Sequence, residues 1–135
     1  MADTFSHYKA GLGSVGSYQV SGRPFMTGST ATFGGAGTET DTVEFPYVAS
    51  SVTVSCTSAN AAHHIKVHFA NTADWNSGKH FITLKGGERM TFNVKCKEVF
   101  VTGLNAASAY ELSAELTNIE SSQMYALTGA GLDTA

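Results

Sequence analysis

Two histidines four residues apart, His64 and His68, are the nearest thing in this chain to a metal-binding pair. Whether they can share an ion depends on the backbone that carries them. On a helix, side chains at i and i+4 meet, whereas on a strand rising roughly 3.3 Å per residue they stand about 13 Å apart. Residues 63–69 read as strand: His63, Ile65, Val67 and Phe69 alternate with His64, Lys66 and His68, a period of two. His64 and His68 then share a solvated or interface face too widely spaced for one ion, and no metal site is expected, since zinc needs clustered ligands. Glu111 and Glu115 are subject to the same limit. At about 13 Å on one strand face they exceed even the roughly 6.5–9.5 Å that separates the two carboxyls of an inverting glycosidase. No nucleophile elbow, no Ser-His-acid set in a supporting context and no glycine loop leading into a helix is present. The expectation is a non-enzymatic protein with no catalytic residue, no metal and no cofactor.

Two further sets of residues have two readings each. Asp74, Trp75 and Asn76 lie in a polar loop over 71–79 and resemble the aromatic-plus-amide equipment of a glycan-binding site. A lone Trp that closes one end of a core is the favoured reading, because aromatic bulk is usually buried. Cys56 and Cys96 both fall at inward positions of strands, as two small buried hydrophobes would. A disulfide across the sheet is the other reading, which a cytosolic birthplace disfavours. No Cys-x-x-Cys spacing points to zinc or redox chemistry.

The elements that would carry these residues follow the same period. Val43, Phe45 and Tyr47 alternate with Thr42 and Glu44, with Pro46 outward at a strand end or edge. Val52, Val54 and Cys56 alternate with Ser51, Thr53, Ser55 and Thr57. A hairpin is expected over 81–94, in which 81–84 enters the turn Lys85-Gly86-Gly87-Glu88 and Met90, Phe92, Val94 and Cys96 point inward beyond it. Cys96 and Val99 are three apart, which implies a bulge at Lys97 and Glu98 before Val99 and Val101 resume the inward set. Tyr110, Leu112, Ala114 and Leu116 alternate with Glu111, Ser113, Glu115 and Thr117. Short strands about ten residues apart, with no convincing helix, predict an all-β protein, an antiparallel β-sandwich of jelly-roll or immunoglobulin-like type. Its expected core is Val43, Phe45, Val52, Val54, Ile65, Val67, Phe69, Phe92, Val94, Val101, Leu112 and Leu116.

Residues 1–37 are different material. Eight glycines interrupt every period, yet Tyr8, Leu12, Val15, Tyr18, Val20, Phe25, Met26 and Phe33 are too many large apolar groups for a solvated linker. The segment reads as an extended Gly-rich N-terminal arm laid along another surface, its own sandwich or a neighbour's, with short strands only at 17–20 and 30–33. Tyr8, Leu12, Tyr18 and Phe25 are its candidate anchors for that contact. The domain plan is thus an arm over 1–37, a sandwich over 38–119 and an irregular tail over 120–135.

The bulk properties narrow the function classes. With 135 residues the chain is one domain, able to bury a core without staples. Eight basic residues scattered singly and a net charge of −3 provide no patch for a run of phosphates, so no nucleic acid is expected. No apolar run is long enough to span a bilayer, and residues 1–7 carry no basic-then-apolar signal, so no membrane is expected and synthesis is placed in a cytoplasm.

Against this background, Lys9-Ala10-Gly11-Leu12 followed by Val15-Gly16-Ser17-Tyr18-Gln19-Val20-Ser21-Gly22 and Pro24-Phe25 resembles the opening of a family of small virion structural proteins from tailed phages, marine and cyanobacterial ones in particular. Val43-Glu44-Phe45-Pro46-Tyr47-Val48, Ile65-Lys66-Val67-His68-Phe69, the run from Phe92 to Gly103 and Ala114-Glu115-Leu116-Thr117-Asn118-Ile119 continue the likeness over most of the chain. The chain departs from the family in its C-terminal tail. The resemblance implies a β-sandwich of the phage particle made in the host cytoplasm. A chain this small lacks the mass of a major capsid protein, and an apolar-studded arm suits docking on a lattice, where many weak contacts add. The leading expectation is therefore a head decoration or cement protein on the capsid surface, bound to the major capsid protein and to itself as a trimer or other homo-oligomer. A tail, baseplate or fibre-associated sandwich, binding a glycan through Asp74, Trp75 and Asn76, is the alternative.

Overall fold

A computed structural model describes residues 11–13, 22–28, 33, 39–70 and 80–132. Among these residues, seven strands form one hydrogen-bonded antiparallel sheet: β1 (Arg23–Gly28), β2 (Glu39–Cys56), β3 (Ile65–His68), β4 (Ile82–Leu84), β5 (Arg89–Phe92), β6 (Cys96–Gly103) and β7 (Tyr110–Glu120). A 3-10 turn, Ser121–Gln123, follows β7. The all-β expectation is met.

The sheet is folded into two layers by β2, which at 18 residues is long enough to serve both. Its first part pairs with β6, from Glu39 opposite Gly103 to Glu44 opposite Glu98. Its second part runs between β7 and β5, with Val52 opposite both Ala114 and Phe92. One layer is β1, β7, the end of β2 and β5; the other is the start of β2, then β6, β3 and β4. The fold between them falls at 45–48, where Pro46 has no N–H to give a ladder. Carbonyls that leave the ladder there find hydroxyls instead: Ser121 donates to Phe45 O, and Thr117 Oγ1 donates to Val48 O at 2.7 Å. That pairing is what the rule of satisfied buried backbone requires. Two expected strands, around Val43 and around Val54, are thus one bent strand.

Between the layers lies the core. Ten of the twelve expected core residues are buried, and Phe69 and Val94 pack against the same cluster half-buried. Aromatic contacts tie the layers together: Phe25 of β1 meets Phe45 edge-on at 5.1 Å, and Phe69 meets Phe92 edge-on at 5.3 Å. Phe33 caps one end, so close to Gly103 that a Cβ there would stand 2.2 Å from its ring. A smaller cluster of Val48, Ile119 and Met124, with Leu12 and Leu127 against it, closes the other end.

Several local expectations need correction. The hairpin over 81–94 exists only as a turn. Glu88 N donates to Lys85 O at 2.9 Å and Gly87 sits at φ +90°, but β4 pairs with β3 and β5 pairs with β2. Turn chemistry dictates where a chain reverses, not whether the two arms pair. Here they diverge into opposite layers, while the turn packs under 58–60, where a Cβ on Gly86 would stand 2.7 Å from Ser58 O. The bulge expected on β6 lies on β2: between Glu44 and Ala49 the chain advances five residues while β6 advances two, from Glu98 to Cys96. His68 and Thr117, expected outward, are buried, and Met90, expected inward, is 41 % exposed on an edge strand. β7 keeps its alternation only to Leu116, after which Thr117 and Ile119 are the buried pair.

Within the arm, β1 was missed because Pro24 and Gly28 break its pattern. It pairs with β7 over six residues, so this part of the arm is the outer strand of the chain's own sandwich. The expected strand at 17–20 lies outside the described residues. Of 30–33 only Phe33 is described, buried and outside any strand.

Candidate functional site

A broad accessible feature of the described residues is the outer face of the β1, β7, β2, β5 layer. Its side chains fall in rows across the strands because opposite residues on antiparallel strands share a face. One row is Gly28, Glu111, Ser55 and Arg89; the next is Met26, Ser113, Thr53 and Thr91. A third holds Pro24, Glu115 and Ser51, continued by Asn93 just past β5. Ser51, Thr53 and Ser55, in the middle, are small and half-buried, while Arg89, Thr91, Glu111, Ser113 and Glu115 are exposed. Met26, at the β1 margin, is 77 % exposed. Small residues flanked by longer ones leave two shallow open depressions of about 480 and 460 Å³ that meet over Thr53 and Ser113. Thr53 and Thr91 hydroxyls are joined at 2.9 Å, and Ser51 Oγ donates to Glu115 at 3.4 Å. The face offers hydroxyls, one guanidinium and two carboxylates, without a nucleophile–base pair.

Buried polar groups elsewhere act as locks between strands. Tyr110 is 1 % exposed on β7, and its hydroxyl donates to the Asp41 carboxylate on the first part of β2, across the two layers. Burial, with the neighbouring carboxylate, holds the Tyr110 proton well above the ordinary phenol range. His68 stacks on Phe100 at 5.5 Å between ring centres. Its Nδ1 lies 3.1 Å from Ala70 O, a pure acceptor, so Nδ1–H donates there. In the neutral ring Nε2 accepts the Thr102 hydroxyl at 3.0 Å, and Thr102 Oγ1 in turn accepts from Thr40 at 2.8 Å. Burial lowers the His68 pKa, partly opposed by the bond to Ala70. Sequence periodicity missed this histidine because it assumed that the outer face of β3 was wet; Phe100 and Thr102 beside it are buried as well.

Among the described residues, the candidates are not brought together. His64 is half-buried, and its carbonyl accepts Leu104 N and Ser108 Oγ at 3.3 and 3.2 Å. Among the described residues no three His, Cys, Asp or Glu side chains form a group that could hold a metal ion. Cys56 and Cys96 are buried free thiols, as the first reading had them, and burial pushes Cys96 up to about 12. Of the arm anchors, Leu12 packs on the small cluster and Phe25 on the main core, both within this chain. Tyr8 and Tyr18 lie outside the described residues, as do Asp74, Trp75 and Asn76. Glu44 and Glu98, which sequence reasoning did not pair, stand directly opposite each other on β2 and β6.

Set against protein-family models, curated proteins and solved structures, the chain matches none of them.

Proposed function

We propose that this protein is a structural component of a tailed-phage particle: a head decoration or cement protein that binds the major capsid lattice as a homo-oligomer and performs no catalysis. The observation that carries this reading is the use of the polar side chains. Those that are buried, Tyr110, His68, Thr102 and Thr117, lock strand to strand, while the accessible ones are spread over a broad, shallow sheet face. Reactive groups held apart on a flat surface suit contact with other proteins, because small-molecule sites are concave and enclose most of their ligand. The resemblance of residues 9–25 to the opening of virion proteins supports the same reading. Leu12 and Phe25 serve their own chain in this reading, which leaves Tyr8 and Tyr18 as the arm's candidate contacts with capsid.

The test is to separate phage heads from tails and probe each for the protein, then to add purified full-length protein to expanded shells of the major capsid protein and sediment them. Recovery with heads, and saturable binding to shells, is expected. Recovery with tails or fibres alone would overturn the head assignment in favour of the tail alternative.

A further inference from the structure

The geometry points to the outer face of the β1, β7, β2, β5 layer as a two-fold self-association surface, in which a second copy of this chain packs face to face with the axis running along the second part of β2. This inference stands whether or not the particle assignment holds, since it concerns only how two copies meet.

The argument starts from symmetry within the rows. β7 and β5 flank β2 at equal spacing, about 4.8 Å on either side. A two-fold axis lying along β2 between two stacked faces therefore sets β5 of one copy over β7 of the other and preserves the row. In the first row Arg89 then meets Glu111 of the second copy, and by symmetry Glu111 meets its Arg89. In the second row Thr91 meets Ser113. In the third Asn93 meets Glu115, an amide donor facing a carboxylate. On the axis itself Ser51, Thr53 and Ser55 oppose their own copies, and their small side chains allow the sheets to approach closely. No carboxylate faces a carboxylate and no cation faces a cation. The twist does not spoil the fit, because a saddle turned by 180° about its central strand maps onto itself, and aligned sheets are a standard packing mode.

A margin contact follows from the same operation. β1 has no counterpart beyond β5, so Met26 of one copy falls past the edge of the other copy's β5, beside Thr91 in the same row.

The size of the face sets the strength. The three overlapping strands, about 4.8 Å apart, with some five residues of about 3.4 Å each, cover on the order of 250 Å² per copy. That is below the roughly 1,000 Å² in total expected of a stable complex, so the dimer is weak and forms where copies are crowded.

Sedimentation equilibrium of the full-length protein over a concentration series reads this directly, and a monomer–dimer equilibrium is expected below on the order of 1 mM. Arg89→Glu and, separately, Glu111→Arg should each weaken it by about tenfold or more, and the two combined should restore it to within roughly threefold by recreating the pair with its signs exchanged. Both positions are exposed, and circular dichroism melts of each variant establish that it is folded. Independently, Thr53→Cys should be joined to its own copy by a short bis-maleimide, Cys56 and Cys96 being buried. A protein that stays monomeric throughout the series overturns the inference. So does self-association that neither single variant weakens, a combined variant no better than the single ones, or a Thr53→Cys protein that does not cross-link.

Discussion

Removing one oxygen from Tyr110 tests whether the two layers are latched as described. In Tyr110→Phe the ring stays, including its tilted contact with Phe33 at 6.2 Å, while the hydroxyl that reaches Asp41 is lost. Hydrogen bonds to charged groups are worth roughly 1.5–3 kcal/mol when buried. Asp41 is only half-buried, so water recovers part of that, and a loss of ~1–2 kcal/mol is expected. With an unfolding entropy of about 2.1 cal/mol/K per residue, that lowers the melting temperature by ~4–7 °C. The pH dependence gives a second, independent signature. The phenol is held protonated in the folded state above its ordinary value of 10.0, so this contribution is intact below pH 10 and is lost as pH rises beyond it, when the unfolded chain ionises and the folded one resists. Thermal melts from pH 7 to 11 should therefore fall more steeply for the natural protein than for Tyr110→Phe. A double-mutant cycle with Asp41→Asn completes the measurement. A coupling near zero, or an alkaline slope unchanged in Tyr110→Phe, would refute the latch.

Three further outcomes follow from the same structure. Because burial lowers the His68 pKa, its neutral form stabilises the fold above the ordinary value of 6.5, and this is lost as pH falls below it; His68→Phe should shallow the acid limb of a stability–pH curve while lowering stability at pH 7, and an unchanged limb would mean that His68 is not the group responsible. Glu98→Lys should raise stability by ~0.2–1 kcal/mol in urea titrations by relieving the direct opposition to Glu44, an effect that must shrink in high salt. Gly103→Ala should cost about 1–3 kcal/mol, because its Cβ would strike the Phe33 ring, and Phe33→Leu in the same chain should recover part of it; full stability of Gly103→Ala alone would remove Phe33 from that position.

The period of two in the sequence was enough to identify the strands and most of the core, because alternation reports which side of a strand is covered, and the cover is mostly local in origin. It was also enough to rule out joint ligation by His64 and His68, which needs only the rise of a strand. It failed where both faces are covered. His68 and Phe100 both fall at positions that alternation turns outward, on strands that are in fact buried on both sides, a case in which alternation carries no information. It failed as well at Thr117, where a register shift between β2 and β7 turns a polar side chain inward to serve the Val48 carbonyl.

What the sequence by itself determined was the class of the fold, the identity of most inward residues and the position of the turn at 85–88, all set by neighbours within a few residues. Only the tertiary structure decided that β4 and β5 part into different layers, that β2 bends to serve both, and that β1 comes from the arm. It alone set Arg89 and Glu111 at equal distances on either side of Ser55. These outcomes depend on strand pairings between residues up to about ninety positions apart, such as Arg23 with Leu116. Pairing at that range is selected by how the whole core packs, and no local pattern encodes it.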